Sequence, residues 1–245
     1  LSLYALGIIV AVVTARLLRK FHYKKDETPF VMELPPYRIP TMKATMRHMW
    51  AKGQQYLKKM GGIILVASLV IWMLSYFPRP TEEQEATART EMIQDGNTNV
   101  TPENVTKVAT TENSCLARLG KLVQPVFEPL GFNWKMTVSL ISGTVAKETV
   151  VSTLGVLYSG DSENEAALAE RIQKLNPKTG VPDFTPLVAA CFMIFVLIYV
   201  PCIATITAIV RETGSWRYGA FTLVYNTFVA WLIAFAVYQI GTLFM

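Results

Sequence analysis

Phe132-Asn-Trp-Lys-Met-Thr-Val-Ser-Leu-Ile-Ser-Gly-Thr-Val-Ala-Lys-Glu-Thr-Val-Val-Ser-Thr-Leu-Gly-Val-Leu-Tyr158 is apolar enough to lie in a membrane, yet it carries Gly143, Thr144, Lys147, Glu148 and Thr149 near its middle. A charge at mid-bilayer costs about 2.5–3.5 kcal/mol on insertion scales, so such residues mark transport routes by default. Adjacent helical side chains point about 100° apart. Lys147 and Glu148 therefore do not neutralise each other in one pocket, and each meets another helix, water or a transported ion. Glu148 reads as a pathway carboxylate, with a structural interhelical pair as the alternative. Gly143 frees the backbone, and Ser142, Thr144 and Thr149 can satisfy the polar groups a helix break exposes. Ion sites in transporters sit at such discontinuous helices. Two topologies stay open: a full but broken crossing, which is the favoured one, or a re-entrant hairpin broken near Gly143. The first ends the last span in the cytoplasm, the second outside.

Working outward, 51% of the 245 residues are apolar and 17% charged. A soluble domain of this length carries more charge. The charges crowd into Arg16–Lys59, Arg79–Lys121 and Gly160–Asp183, the pattern of spans and loops. The fold class is all-α integral membrane, a polytopic helical bundle with about five hydrophobic segments, one broken or re-entrant. Residues 1–20 form a transmembrane span and 21–60 a basic cytoplasmic segment, in which Met42, Met46, Met49, Trp50, Leu57 and Met60 recur at the spacing of an interfacial helix. Residues 61–77 form a second span ending in Trp72, Tyr76 and Phe77. Residues 78–130 form a polar periplasmic loop, flexible to Ser114 and then a short amphipathic helix. Residues 131–245 form one membrane domain, with a long span at Phe184–Val210 and a last one at Tyr218–Phe244. The chain starts at Leu1 inside an apolar run and reads as a fragment.

The net charge of +5 lies beside apolar spans, so a lipid bilayer explains it and nucleic acid does not. Nothing supports an enzyme: there is no phosphate-binding loop, no Ser/His/Asp set and no His-Glu-x-x-His. His22 and His48 are isolated and carry no metal role. The second chemical candidate is Pro201-Cys202. Proline removes one helical hydrogen bond and frees the carbonyl of Leu197. Cys202 sits at that kink with Thr205 and Thr207 following. A thiol suits a borderline-soft divalent ion better than it suits Mg or Ca; a small residue in a kinked helix is the plainer alternative. Cys191 lies eleven residues earlier, which on an unbroken helix returns it to nearly the same face about 16 Å away. It is a weaker second station or simple small-residue packing.

Three segments in order carry a resemblance. They are Met32-Glu-Leu-Pro-Pro-Tyr-Arg-Ile-Pro40, Gly143-Thr-Val-Ala-Lys-Glu-Thr-Val-Val-Ser-Thr-Leu-Gly155 and Tyr199-Val-Pro-Cys-Ile-Ala-Thr205. Together they resemble the C-terminal membrane region of the FeoB family of ferrous iron transporters across essentially the whole chain. The resemblance implies Fe(II) import across the bacterial inner membrane by a multi-pass protein. It implies a second gate-type half here, with a first gate half and an N-terminal G domain that binds GTP and Mg lying outside this sequence. It maps Pro201, Cys202 and Thr205 onto the gate motif, and Gly143, Lys147 and Glu148 onto the broken segment. The expected iron path is Cys202 and Glu148, with Thr144, Thr205 and Cys191 weaker; Pro201, Gly143 and Lys147 shape the gate. No cofactor is expected on this chain. Expected partners are Fe(II), the bilayer, the missing domains, small accessory Feo proteins and a homo-oligomer. A carrier for another divalent metal or small solute, and a non-transporting scaffold working through Phe21–Met60, are the rivals.

Overall fold

A computed structural model of the chain describes residues 1–21, 40–94, 100–160, 165–173 and 182–244. The Met32–Ile39 part of the first motif and His22 lie outside them. Among the described residues every regular element of more than one residue is a helix, and the protein is an all-α membrane protein. The chain divides into two compact units, Leu1–Gly61 and Gly62–Met245.

In the first unit, helix α1 (Ser2–Phe21) is long and apolar enough to cross a membrane. Tyr4, Ile8, Ile9, Val12, Val13 and Leu17 all stand exposed on it. An apolar surface of this extent is covered by lipid in a polytopic protein. Helix α2 runs Met42–Tyr76. The sequence separates an interfacial helix ending at residue 60 from a span beginning at 61, but the helix continues through Gly61-Gly62. A Cβ at either glycine would meet nothing within 4 Å, so neither marks a packed bend.

The second unit holds the site. The stretch expected to be a flexible loop is helical: α3 (Glu82–Gln94) and α4 (Pro102–Asn113) form a helical pair. Ala88, Met92, Val105, Val108 and Ala109 make its small core. Composition hid this, because Thr, Glu and Asn dominate the outer faces while the few apolar residues recur three and four apart. Thr101 caps α4 by accepting from the Asn104 amide, and Pro102 sits where its missing N–H costs nothing. The expected amphipathic helix is α5 (Cys115–Phe127), capped by Ser114.

The decisive difference lies in Phe132–Tyr158. It forms two short helices, α6 (Trp134–Ser142) and α7 (Glu148–Ser159), that fold back on each other. Asn133 Nδ2 donates to the Tyr158 hydroxyl at 2.7 Å, Lys135 Nζ to the Leu157 carbonyl at 3.0 Å, and Thr153 Oγ1 to Ser142 Oγ at 3.0 Å. Residues at the start of α6 thus pair with the end of α7, which only an antiparallel hairpin allows. The favoured full crossing is overturned. Nine and twelve residues reach about 13 and 18 Å, roughly half of a ~30 Å hydrocarbon core.

A helix pair does the crossing beside it. Helix α8 (Glu165–Gln173) lies between the hairpin and α9 (Pro186–Ile198); after a break, α10 (Ile203–Thr213) follows, and α11 (Trp216–Phe244) returns antiparallel. Both Pro186–Thr213 and Trp216–Phe244 are long and apolar enough to span. Small residues on α11 set the approach: Ala230 and Ala234 are 0% exposed. A side chain at Gly241 would collide with Leu187, and one at Gly219 with Val210. Backbones come close in membranes where residues are small. Phe127, Phe132, Phe192, Phe195 and Tyr199 interlock mostly edge-to-face between the hairpin and α9, with ring centroids 5.4–6.4 Å apart.

Candidate functional site

Helix α9 starts cleanly, with Thr185 capping the Val188 amide and Pro186 in the first position. It ends because of Pro201. The last helical bond runs from the Tyr199 amide to Phe195 O at 2.8 Å, and Val200–Cys202 are not helical. Pro201 has no N–H to offer Leu197 O, and the chain turns away before Val200 can serve Val196 O. The carbonyls of Val196 and Leu197 are left without helical partners at the end of an apolar helix. Helix α10 restarts with Cys202 as its N-cap residue, whose carbonyl accepts from Thr205 and Ile206 at 2.9 and 3.2 Å.

The hairpin tip faces this break. Gly143 closes α6, and a Cβ there would collide with both Val150 and the Tyr199 hydroxyl, so the position demands glycine. Polar side chains satisfy the tip internally: Thr144 Oγ1 donates to Ile141 O at 2.8 Å, and Thr149 Oγ1 lies 2.8 Å from Ala146 O and 3.0 Å from Ser142 O. The tip then serves both ends of the broken helix. Lys147 Nζ donates to Val196 O at 3.0 Å and Leu197 O at 3.2 Å. A cation at a helix C-terminus also meets the negative end of its dipole. From the other side, the amide of Ile203, the first residue of α10, donates to Thr144 O at 3.1 Å.

The sequence-predicted residues divide accordingly. Gly143, Thr144 and Lys147 on the tip are brought against Pro201 and Cys202 at the break. Cys202 Sγ lies 3.3 Å from Thr205 Oγ1, and Thr205 is exposed. Glu148 begins α7 with its side chain exposed, and no ion pair joins it to Lys147 among the described residues. Cys191 is 0% exposed inside the apolar cluster with Phe192 and Phe195. The same-face relation to Cys202 presumes an unbroken helix, and the chain leaves the helix between them.

Sequence reasoning passed over Tyr199. It is 4% exposed, its hydroxyl has no hydrogen-bond partner, and its ring centroid lies 5.4 Å from Lys147 Nζ. A tyrosine two residues before the proline of a broken apolar span was the available signal. Among the described residues no group of three or more His, Cys, Asp or Glu could hold a metal. What the junction offers is a mixed set of one thiol, hydroxyls and helix-end carbonyls.

Comparison with known proteins fits this geometry. The family model described as Gate, nucleoside recognition, matches residues 57–216, and that of the ferrous iron transport protein B C terminus matches residues 1–52. The chain is 49% identical over 257 residues to an Fe(2+) transport protein A/Fe(2+) transporter FeoB fusion protein of Porphyromonas gingivalis, covering 99% of this chain and 30% of that protein. It is 36% identical to an Fe(2+) transporter FeoB of Staphylococcus aureus, covering 100% of this chain and 32% of that one. To the Fe(2+) transporter FeoB of the Methanocaldococcus jannaschii strain it is 33% identical over 99% of its length, again covering 32% of that protein. The chain thus spans about a third of the curated relatives it matches. No solved structure matches it.

Proposed function

The chain belongs to the FeoB family, as the C-terminal region that contains a Gate domain, and on that premise we propose that it forms part of the route by which Fe(II) enters the cell. The supporting observation is the junction itself. A polar hairpin tip and a broken helix meet inside an apolar bundle, with the Cys202 thiol and Thr205 hydroxyl 3.3 Å apart at the break. A thiol beside oxygen donors favours a borderline-soft ion such as Fe(II) over Mg or Ca. Cys202 is the principal contact, Thr205 and the Thr144 turn are lesser ones, and Glu148 is a carboxylate on the approach to the tip. Lys147, Gly143 and Pro201 hold the geometry, and Cys191 packs the core.

The hairpin sets the sidedness. Both of its ends face one side, so 78–130 and 160–183 share a compartment and the Arg211–Arg217 turn lies opposite. We take that turn to be cytoplasmic, a reading supported by exposed Arg211 and Arg217 and by the basic segment 21–60. Residues 78–130 and the end of α11 are then external. In a bacterium the membrane is the inner one. The chain itself carries no enzyme chemistry; GTP and Mg belong to an N-terminal domain of the longer protein. The Porphyromonas relative's name joins transport protein A to FeoB, which supports a small accessory partner.

The test is Fe(II) uptake by the full-length protein in cells lacking other ferrous importers, at matched expression. Cys202→Ser is expected to lower the initial rate by roughly tenfold or more, since even supporting partners of a metal ligand are worth about 10–100-fold in affinity. Glu148→Gln lowers it by a smaller factor. Normal uptake by both variants makes Cys202 and Glu148 structural and removes them from the iron path. Absence of Fe(II) uptake by the wild type would instead favour a small-solute carrier, the reading the Gate family's description suggests.

A further inference from the structure

We propose that the Lys147 ammonium occupies a coordination place of the transported cation and is displaced when that ion arrives. The inference rests on the transport reading and adds a residue that moves. The carbonyls of Val196 and Leu197 are among those that the break at Pro201 strips of helical partners, and both are taken by one ammonium, at 3.0 and 3.2 Å. Oxygens that converge on a bound cation also converge on a free one. One further group lies at the same place. The Tyr199 ring lies under Nζ, its 4%-exposed hydroxyl lacking a partner. Cys202 begins α10 on the far side of the same break. A buried hydroxyl without a partner is costly unless a ligand completes it.

An ammonium and a divalent ion cannot share these oxygens, because like charges at contact in a low-dielectric site repel strongly. Entry of the ion therefore ejects Lys147, and ejection has a structural consequence. Lys147 supplies the tip's hydrogen bonds to the end of α9; without them the tip keeps its packing on Tyr199 and the Thr144–Ile203 bond to α10. Ion binding and loosening of the hairpin become one event. In the absence of the ion, the tethered cation keeps the carbonyls satisfied and the junction shut against other cations.

The experiment uses the full-length protein, nucleotide-free, with Mn(II) as probe in equilibrium binding. The Cys202→Ser variant identifies the signal that belongs to the junction. Removing the competitor in Lys147→Met is expected to tighten that binding by about tenfold, a change of one decade in Kd. Lys147→Arg, which keeps charge and donors, stays within about twofold of wild type, as does Arg217→Gln, which removes a distant charge. Lys147→Gln repeats the comparison with a neutral donor, so an unstable methionine variant does not decide the matter. If Cys202-dependent binding exists but is unchanged or weaker in Lys147→Met and Lys147→Gln, Lys147 is only a helix cap and this inference falls while the transport reading stands. If wild type shows no Cys202-dependent Mn(II) binding, both fall.

Discussion

Tyr199 and Gly143 touch, and each explains the other. Gly143 has no side chain because the tyrosine hydroxyl and Val150 occupy the space a Cβ would need. The hydroxyl, in turn, points at backbone that offers it no bond. Leaving a buried polar group unsatisfied costs about 1–3 kcal/mol. Tyr199→Phe should therefore raise the thermal unfolding midpoint of metal-free protein while lowering Fe(II) uptake. A fall in the midpoint, or unchanged uptake, counts against a ligand role for the hydroxyl. Gly143→Ala should destabilise by about 1–3 kcal/mol through overpacking, and Tyr199→Phe in the same molecule should recover part of that loss. The sequence already displayed most of these residues. Charges and a glycine inside an apolar run stand out by their cost, so Gly143, Lys147 and Pro201 were legible. Tyr199 was not, because an unpartnered hydroxyl is a fact about neighbours fifty residues away.

At the scale of elements, the break between α9 and α10 is made by one imino acid and held open by another segment. Pro201→Ala restores an amide that can bond Leu197 O, the carbonyl Lys147 now holds. The repaired helix should be as stable as wild type or more so, since an interior proline costs a helix ~3 kcal/mol or more. Uptake should collapse with it, because Cys202 moves off its N-cap. Hydrogen exchange across 197–205 checks the first part and transport the second; a helix that mends without loss of transport shows the break to be incidental. The proline and the freed Leu197 carbonyl followed from the sequence alone. Its new partner did not, since pairing Lys147 with Val196 and Leu197 requires knowing that the hairpin tip arrives there. The helices of 82–113 were missed for a related reason: their apolar residues are few, and only their three-and-four spacing reveals a face.

For the whole molecule, the hairpin changes the count of crossings after residue 132 and so the side of everything that follows α7. Single cysteines at Glu103 and Ala169, introduced with Cys115→Ser to remove an exposed thiol, should react with an impermeant maleimide from the same side of the membrane. One at Ser215 should react only from the other. Labelling of Glu103→Cys and Ala169→Cys from opposite sides would falsify the hairpin. Hydropathy could not settle this, because a segment folded in half and one stretched across present the same apolar residues. The distinguishing contacts are Asn133 with Tyr158 and Lys135 with Leu157, which join the two ends of the segment. The shortness of the hairpin arms also bears on how the protein is made. Neither arm is long enough to be handed to lipid as a span when it leaves the ribosome. Beyond the bonds inside the hairpin, its tip bonds α9 and α10, which are synthesised later. The bonds that join the hairpin tip to the broken helix therefore form only after that helix has been made, so the junction is a late product of assembly rather than an early one.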